Sequence, residues 1–341
     1  MKSRFILVFL VLLSFYACKK EEQTALGSQG FELVVPSSLG AIDFPSDNEF
    51  TSARWELGKR LFYDTQLSAD GMVSCASCHK PEKAFADDLA FSPGSNGAAG
   101  LRNVPSLANV AYLPYFTREG GVPTLEMHVL VPIQESNEFN SNIVAIAEAL
   151  AQDPSYVQMS QIAYGQNPNP FVITRALANF QRSILSGNSA YDRFLMGDES
   201  ALNESALAGM DLFFGDELKS GQCHAGQDLS THAFENNGLY AVYPDSGRFR
   251  LTHESTDIGK FKVPSLRNIG FTAPYMFNGS FSSLEEVLNH YASGGYNHPN
   301  KSELISGFEL SQIEQQQVID FLLALNDTSF IENPDLQASF P

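Results

Sequence analysis

The feature that most constrains the fold of this 341-residue chain is an internal repeat. Leu57–Tyr63 reads Leu-Gly-Lys-Arg-Leu-Phe-Tyr and is followed by Cys75-Ala-Ser-Cys-His79. Ala208–Phe214 reads Ala-Gly-Met-Asp-Leu-Phe-Phe and is followed by Ser220-Gly-Gln-Cys-His224. Both segments are typical of a helix carrying Gly-x-x-Leu-Phe-aromatic, then a loop, then a Cys-His pair. Repetition of one such unit predicts two homologous domains.

Helical patterns dominate the rest of the chain. Amphipathic periodicity predicts helices at Asn142–Ala151, Phe171–Leu185, Glu204–Phe214 and Ser311–Leu325. The last of these opens with a capping box, since Glu314 follows Ser311 by three residues. Strand-like alternation is limited to short pieces near Phe31–Val35 and Gly238–Tyr243. The sequence therefore predicts an all-α fold with long loops, among them residues 92–103 and 292–302.

Composition excludes several classes of protein. Hydrophobic residues make up 43% and charged residues 18%, which allows a sizeable core and excludes wholesale disorder. Lys plus Arg number 21 against 39 Asp plus Glu, a net charge of −18, which argues against a nucleic-acid partner. Four cysteines are too few for a disulfide scaffold of this size.

The N-terminus is typical of an export signal. Residues 1–17 carry basic residues, the apolar run Phe5–Leu13 and a small residue before Cys18. This pattern predicts a lipoprotein signal with lipidation at Cys18 and a tether over residues 18–45; an ordinary signal-peptidase site is the alternative. Lys19–Glu22 resembles a surface-export tag. We expect an exported protein, a periplasmic or cell-surface lipoprotein of a bacterial outer membrane, that touches the membrane only through its lipid.

Cys75-x-x-Cys78-His79 carries the strongest chemical signal. Two thiols at this spacing can add across the vinyl groups of a haem, and the adjacent His79 can supply an axial nitrogen to the iron. Export is consistent with this, because c-type haem is attached outside the cytoplasm. The alternatives are a redox dithiol, a structural disulfide, or a zinc site shared with Cys223 and His224.

The second motif departs from this pattern, because Ser220 stands where the first cysteine would be. A haem at this position would be held by one thioether from Cys223, with His224 as its axial ligand. The alternative is that this half of the chain has lost covalent attachment, or its haem altogether.

With these motifs in place, the chain resembles the di-haem cytochrome c peroxidase family, including its MauG branch, from about Arg54 to Ala324. The most specific segments are Leu57–Phe62, Cys75–His79, Leu101–Leu107, Thr124–Phe139 and Phe261–Gly295. The resemblance implies two cytochrome c-like helical domains, each built around one haem. Residues 46–187 would form the peroxidatic haem domain and residues 188–341 the electron-transfer haem domain.

The resemblance also implies roles at the first haem. His79 would be the proximal ligand and Glu138 the distal acid/base, which takes a proton from one peroxide oxygen and returns it to the other. Alternatively, Glu138 or Glu135 merely caps a helix. His128 stands where the family usually has Gln; it would orient peroxide, act as a second base or bind iron, unless it is structural. The family's removable distal His falls near Ser95, so we expect a distal face open to peroxide.

At the second haem, Tyr291 matches the sixth-ligand position, which is Met in the peroxidases and Tyr in MauG. A phenolate stabilises ferric iron, whereas a thioether raises the reduction potential. His290, Met276 and His298 are alternative ligands, and a packed helix-end aromatic is the other interpretation of Tyr291.

The resemblance implies a calcium ion held by the Asn103 side chain and by the carbonyls of Thr272 and Pro274.

Two departures weaken the electron route between the haems. The family's inter-haem Trp falls near Arg118, and Tyr275–Ser280 lacks the His, Asp and Arg of the family's run.

By resemblance, the chain is a c-type di-haem enzyme that reduces hydrogen peroxide to water at the N-terminal haem. Electrons would come from a small redox protein, a cytochrome c or a cupredoxin, through the C-terminal haem. The alternatives are a MauG-like oxidase of a protein or small molecule and a non-enzymatic haem electron carrier. The sequence leaves the oligomeric state open, a homodimer included.

Overall fold

A computed structural model describes residues 30–338 of the chain. The predicted signal peptide, Cys18 and the first part of the predicted tether lie outside the described residues. From Phe31 onward the chain forms one compact unit. None of the helices in the described range combines the length and the apolar character needed to cross a bilayer.

The described part is helix-rich with little sheet, as the sequence predicts. The α-helices are α1 (Ser52–Tyr63), α2 (Cys75–Cys78), α3 (Leu125–His128), α4 (Leu130–Gln134), α5 (Ile143–Leu150), α6 (Pro154–Tyr164), α7 (Pro170–Arg182), α8 (Ala190–Leu195), α9 (Glu204–Phe214), α10 (Phe249–Thr252), α11 (Leu284–Ala292), α12 (Gln312–Leu323) and α13 (Thr328–Ile331).

The described sheet consists of two short strands, β1 (Phe234–Glu235) and β2 (Phe261–Lys262). They are antiparallel, and Phe234 lies opposite Lys262. The strand-like pieces expected near Phe31–Val35 and Gly238–Tyr243 are not strands. That expectation was wrong because alternation over five or six residues is too short to outweigh tertiary packing.

The repeated glycine brings two pairs of helices into close contact. A Cβ added at Gly58 in α1 would lie 1.9 Å from the carbonyl oxygen of Ala176 in α7. A Cβ added at Gly209 in α9 would lie 1.8 Å from the carbonyl oxygen of Gln317 in α12. Only glycine lets the two backbones of each pair approach so closely. The two halves of the repeat therefore use the same packing device.

Each helix pair lies in a hydrophobic cluster of its own. The first includes Leu57, Phe62 and Phe180, and the chain returns to it near the C-terminus with Phe330 and Leu336. The second is made of residues from the later part of the chain, with Phe213, Leu229, Leu288, Val318 and Phe321 among its buried members. The domain boundary between residues 187 and 188 stays a prediction.

The helix predictions from periodicity agree with the structure to within a few residues at each end. The capping box at α12 is formed, because Glu314 N donates to Ser311 Oγ at 3.3 Å and Ser311 N to Glu314 Oε2 at 2.8 Å. These reciprocal bonds satisfy two of the free donors at the helix start.

Residues 31–45, which we expected to belong to a tether, pack against the body of the protein. The Phe31 ring stacks on Trp55 with 3.8 Å between centroids. Ser38 Oγ donates to Gly187 O at 2.5 Å, and Tyr112 Oη donates to Gly40 O at 2.7 Å. The polar composition of the segment hides these few residues, which find partners in the folded chain.

Candidate functional site

The first Cys-His motif is held rigidly by its own helix. Ser74 caps α2, and its backbone N donates to Ser77 Oγ at 3.0 Å. His79 ends the helix, and its Nδ1 lies 2.8 Å from Phe85 O. Because a carbonyl oxygen only accepts, Nδ1 carries the proton, and Nε2 keeps its lone pair. This is the tautomer and the orienting bond of a histidine that ligates a metal through Nε2.

Cys75 and Cys78 flank this histidine as free thiols. Burial raises the pKa of Cys75 to about 12 and that of Cys78 to about 11, so both are neutral thiols. The structural disulfide considered from the sequence is not formed. Within residues 30–338, no group of three or more His, Cys, Asp or Glu side chains could hold a metal ion. The structure therefore does not assemble the zinc set of Cys75, Cys78, Cys223 and His224.

Glu138 lies within electrostatic range of these thiols, since its charge contributes to the raised pKa of both Cys75 and Cys78. The loop around Ser95 is packed on the backbone beside it. Ser95 N donates to Glu138 O at 2.6 Å, and a Cβ at Gly94 would lie 2.1 Å from Asn137 O. The structure thus brings together Glu138 and the loop in which we located the distal-His position.

The Glu138 carboxyl holds its proton more tightly in the folded protein than a glutamate does in water. The residue as a whole is exposed, but neighbouring atoms crowd its carboxyl. This burial, and then the charge of Glu135, raises the pKa of Glu138 above its usual range. A raised pKa favours the proton-transfer role of Glu138 over a role as a helix cap.

His128 ends α3, with its ring tilted against Phe116 at 5.5 Å between centroids. Burial first, then the charges of His79 and Lys262, lowers the pKa of His128 to about 4. The imidazole is therefore neutral near pH 7, and its ring lies within electrostatic range of His79.

The second Cys-His motif lines a cavity of about 380 Å³, a size typical of cofactor sites. His224 Nδ1 lies 3.1 Å from Leu229 O, which repeats the bond seen at His79 and again leaves Nε2 free. Ser220, Cys223 and Tyr291 line the same cavity. Burial lowers the pKa of His224 to about 4 and raises that of Tyr291.

Of the alternative ligands, Met276 lines this cavity with Tyr291, whereas His290 and His298 are not among its described lining residues. His290 Nε2 bonds to Asn237 O at 3.0 Å. Of the candidate sixth ligands, Tyr291 and Met276 are therefore the two that line the same cavity as His224.

Asn103, Thr272 and Pro274 also line this cavity. Asn103 Nδ2 donates to Leu89 O at 3.2 Å, and no described residue donates to its Oδ1. The Thr272 and Pro274 carbonyls likewise accept no hydrogen bond from a described residue. Oxygen donors of this kind are the ones that calcium prefers.

Two cations to which sequence reasoning assigned no role, Arg118 and Lys262, also line this cavity, as does His128. Arg118 Nη2 donates to Asn103 O at 2.6 Å, and burial lowers the pKa of Arg118 to about 10. Lys262 Nζ donates to Tyr115 O at 3.0 Å, and burial, then Arg118, lowers the pKa of Lys262 to about 8. In the sequence, Arg118 was marked only by its position, where the resemblance implies Trp, and Lys262 was not marked at all.

The family model for di-haem cytochrome c peroxidase matches residues 52–200. MauG, the methylamine utilization protein of Methylorubrum extorquens (strain AM1), is 35% identical over 84% of this chain and 81% of its own length. Cytochrome-c peroxidase IdrP1 of Pseudomonas sp. (strain SCT) is 33% identical over 84% of each protein.

A crystal structure of a MauG-like protein associated with microbial copper homeostasis superposes with a TM-score of 0.85. It is 32% identical and covers 90% of this chain and 99% of its own. The chain therefore belongs to the di-haem cytochrome c peroxidase family, which includes MauG, and it is an oxidoreductase of that family. The resemblance inferred from the sequence is confirmed.

Proposed function

We propose that the chain binds two c-type haems and reduces hydrogen peroxide to water at the haem held by Cys75, Cys78 and His79. One observation carries this proposal. His79, with a free Nε2, follows two neutral thiols in the chain, and the Glu138 carboxyl, whose pKa is raised, acts on both thiols through its charge. The free Nε2 on each of His79 and His224 fits an iron ligand, so the residues present fit the family's cofactor.

The residues of the first site move the protons. Bound haem would supply the iron that binds peroxide and the electrons that cleave its O–O bond. Glu138 takes the proton from one peroxide oxygen and delivers it to the other as that oxygen leaves. His128, neutral at pH 7, is able to hydrogen-bond to peroxide and orient it. Two electrons and two protons per peroxide then give two waters.

The second site handles electrons in this proposal. Cys223 would form the single thioether, with Ser220 in place of a second cysteine, and His224 and Tyr291 would bind the iron. The electron donor is a small redox protein, a cytochrome c or a cupredoxin. Asn103, Thr272 and Pro274 would hold a calcium ion, which would stabilise the loops around this cavity.

The proposed setting is outside the cytoplasm. We propose export by the signal at residues 1–17 and anchoring through lipid on Cys18, at the periplasmic or outer face of a bacterial outer membrane. Support comes from the sequence of the leader and from the maturation that c-type haem requires.

The test uses the full chain expressed in a host with c-type haem maturation. Glu138→Gln is expected to lower kcat for peroxide by about 10²–10⁴-fold, the usual contribution of a positioned acid/base. Glu135→Gln is the matched control, since the Glu135 side chain is exposed and acts on the Glu138 carboxyl through its charge. Pyridine haemochrome first establishes two haems per chain. Full turnover by Glu138→Gln at two haems per chain would contradict the proposal.

A second candidate function, MauG-like oxidation of a protein or small molecule, is favoured by the position of Tyr291 in the cavity of His224. A phenolate-ligated haem is a poor entry point for electrons. Tyr291→Met is then expected to raise the reduction potential of that haem and to accelerate oxidation of reduced cytochrome c. Equal rates for the wild type and the variant would eliminate this candidate.

A further inference from the structure

Two cations lie in the His224 cavity without an anionic partner. Arg118 has one described hydrogen bond, from Nη2 to Asn103 O, and its Nε is buried with no partner at all. Lys262 Nζ donates to Tyr115 O. Neither side chain forms an ion pair with any residue of the described range, although both line the cavity.

The nearby carboxylates are already engaged. Arg102 pairs with both Glu119 and Asp245, at 2.6 Å in each case. Asp228, whose charge acts on Lys262, lies 3.3 Å from His232 Nε2. The described partners of Arg118 and Lys262 are therefore neutral carbonyl oxygens, whereas the nearby carboxylates pair with other side chains.

Backbone structure holds the two cations close together. Lys262 N, in β2, donates to Arg118 O at 2.7 Å, which joins the strand to the loop that carries the arginine. A buried guanidinium with an unused N–H is costly unless an anion completes its shell. Planar, bidentate binding of a carboxylate is the interaction that guanidinium groups favour.

We propose that Arg118 and Lys262 bind the propionate carboxylates of the haem whose iron His224 holds. The porphyrin carries two such carboxylates on one edge, which matches two neighbouring cations. This inference rests on the proposed function, because it requires a haem in the His224 cavity. It adds a positioning role and a control of reduction potential to residues with no previously assigned role.

The experiment compares holoproteins by spectroelectrochemistry and resonance Raman spectroscopy. Arg118→Gln and Lys262→Met each remove one cation, and Arg118→Lys keeps the charge but loses the planar fork. Arg250→Gln is the matched control, since the Arg250 side chain is 60% exposed and approaches Glu119 at 3.6 Å. The single-thioether haem is identified by its displaced α-band.

Loss of a positive charge beside a haem favours the ferric state. Arg118→Gln is expected to lower the reduction equilibrium constant of the single-thioether haem about tenfold, a shift of about 59 mV for one electron. Its propionate bending band moves to lower frequency. Arg118→Lys restores most of the potential, and Arg250→Gln changes neither quantity.

Each other outcome is decisive. An unchanged potential and Raman band in both charge-removing variants, at two haems per chain, overturns the proposal and leaves the peroxidase function intact. A shift confined to the two-thioether haem also overturns it. If Arg118→Gln does not fold, Lys262→Met carries the test alone. A wild type that contains only a two-thioether haem refutes the second haem site itself, and this inference with it.

Discussion

The repeated glycine provides a stability prediction whose size follows from the structure. In Gly209→Ala the new Cβ would lie 1.8 Å from Gln317 O, roughly 1.6 Å inside ordinary contact distance. The obstacle is backbone, so α9 and α12 must separate. Overpacking against an unyielding partner costs about 3–5 kcal/mol, at or above the upper end of the usual range, and alanine returns about 1 kcal/mol of helix propensity. We expect a net loss of about 2–4 kcal/mol, which lowers the Tm of the compact unit by roughly 3–6 °C.

Thermal unfolding of the holoprotein, followed by circular dichroism and by the two haem α-bands, measures this effect. Phe213 lines the His224 cavity, so Gly209→Ala is expected to disturb the single-thioether haem first. Gly58→Ala, at 1.9 Å from Ala176 O, is the matched variant and should disturb the other haem. Ala208→Gly, next to Gly209 in α9, isolates the propensity effect of about 1 kcal/mol. An unchanged or raised Tm in Gly209→Ala would refute the close-crossing argument.

Three further predictions concern single sites. Ser220→Cys should supply the missing thioether and move the displaced α-band to the two-thioether position in the pyridine haemochrome spectrum. Because burial and Glu135 raise the pKa of Glu138, the acid limb of kcat/KM for peroxide should lie above the usual glutamate range. Glu135→Gln should move that limb to lower pH, since the remaining carboxyl then ionises more easily. Asp192→Asn breaks a buried bidentate pair with Arg267, in which both hydrogen bonds are 2.9 Å long. It should lower the free energy of unfolding, measured in urea, by about 3–5 kcal/mol. A loss below about 1 kcal/mol would contradict the pairing.

Local sequence signals predicted the parts of the fold that depend on neighbours along the chain. The Gly-x-x-Leu-Phe repeat identified α1 and α9, and Ser311 with Glu314 located the start of α12 within one residue. These signals succeed because capping and helix periodicity involve residues three or four apart. The strands β1 and β2 were missed, since two-residue pairing depends entirely on partners distant in sequence.

Burial was the quantity that sequence could not supply. The segment that begins at Phe31 looks like a linker by composition, yet one stacked ring and a few hydrogen bonds fix it to the body. Arg118 was noticed only as a departure from the family's Trp. Its lack of an ion-pair partner becomes visible once the positions of Arg102, Glu119 and Asp245 are known. Both features are set by contacts between residues far apart in the chain.

The two candidate sites share their proximal side and differ elsewhere. His79 and His224 make the same Nδ1 bond to a carbonyl five or six residues ahead, at 2.8 and 3.1 Å, so each imidazole is oriented alike. The carbonyl bond alone therefore does not make one site bind peroxide and the other carry electrons. The difference must come from the opposite face and from the surrounding charge. Glu138, whose carboxyl has a raised pKa, lies near the first site, whereas Tyr291 and two cations without an ion-pair partner line the second. Substitutions on the face opposite each histidine should therefore give one site properties of the other. Disturbing the shared bond between Nδ1 and the carbonyl oxygen should weaken iron binding equally at His79 and at His224.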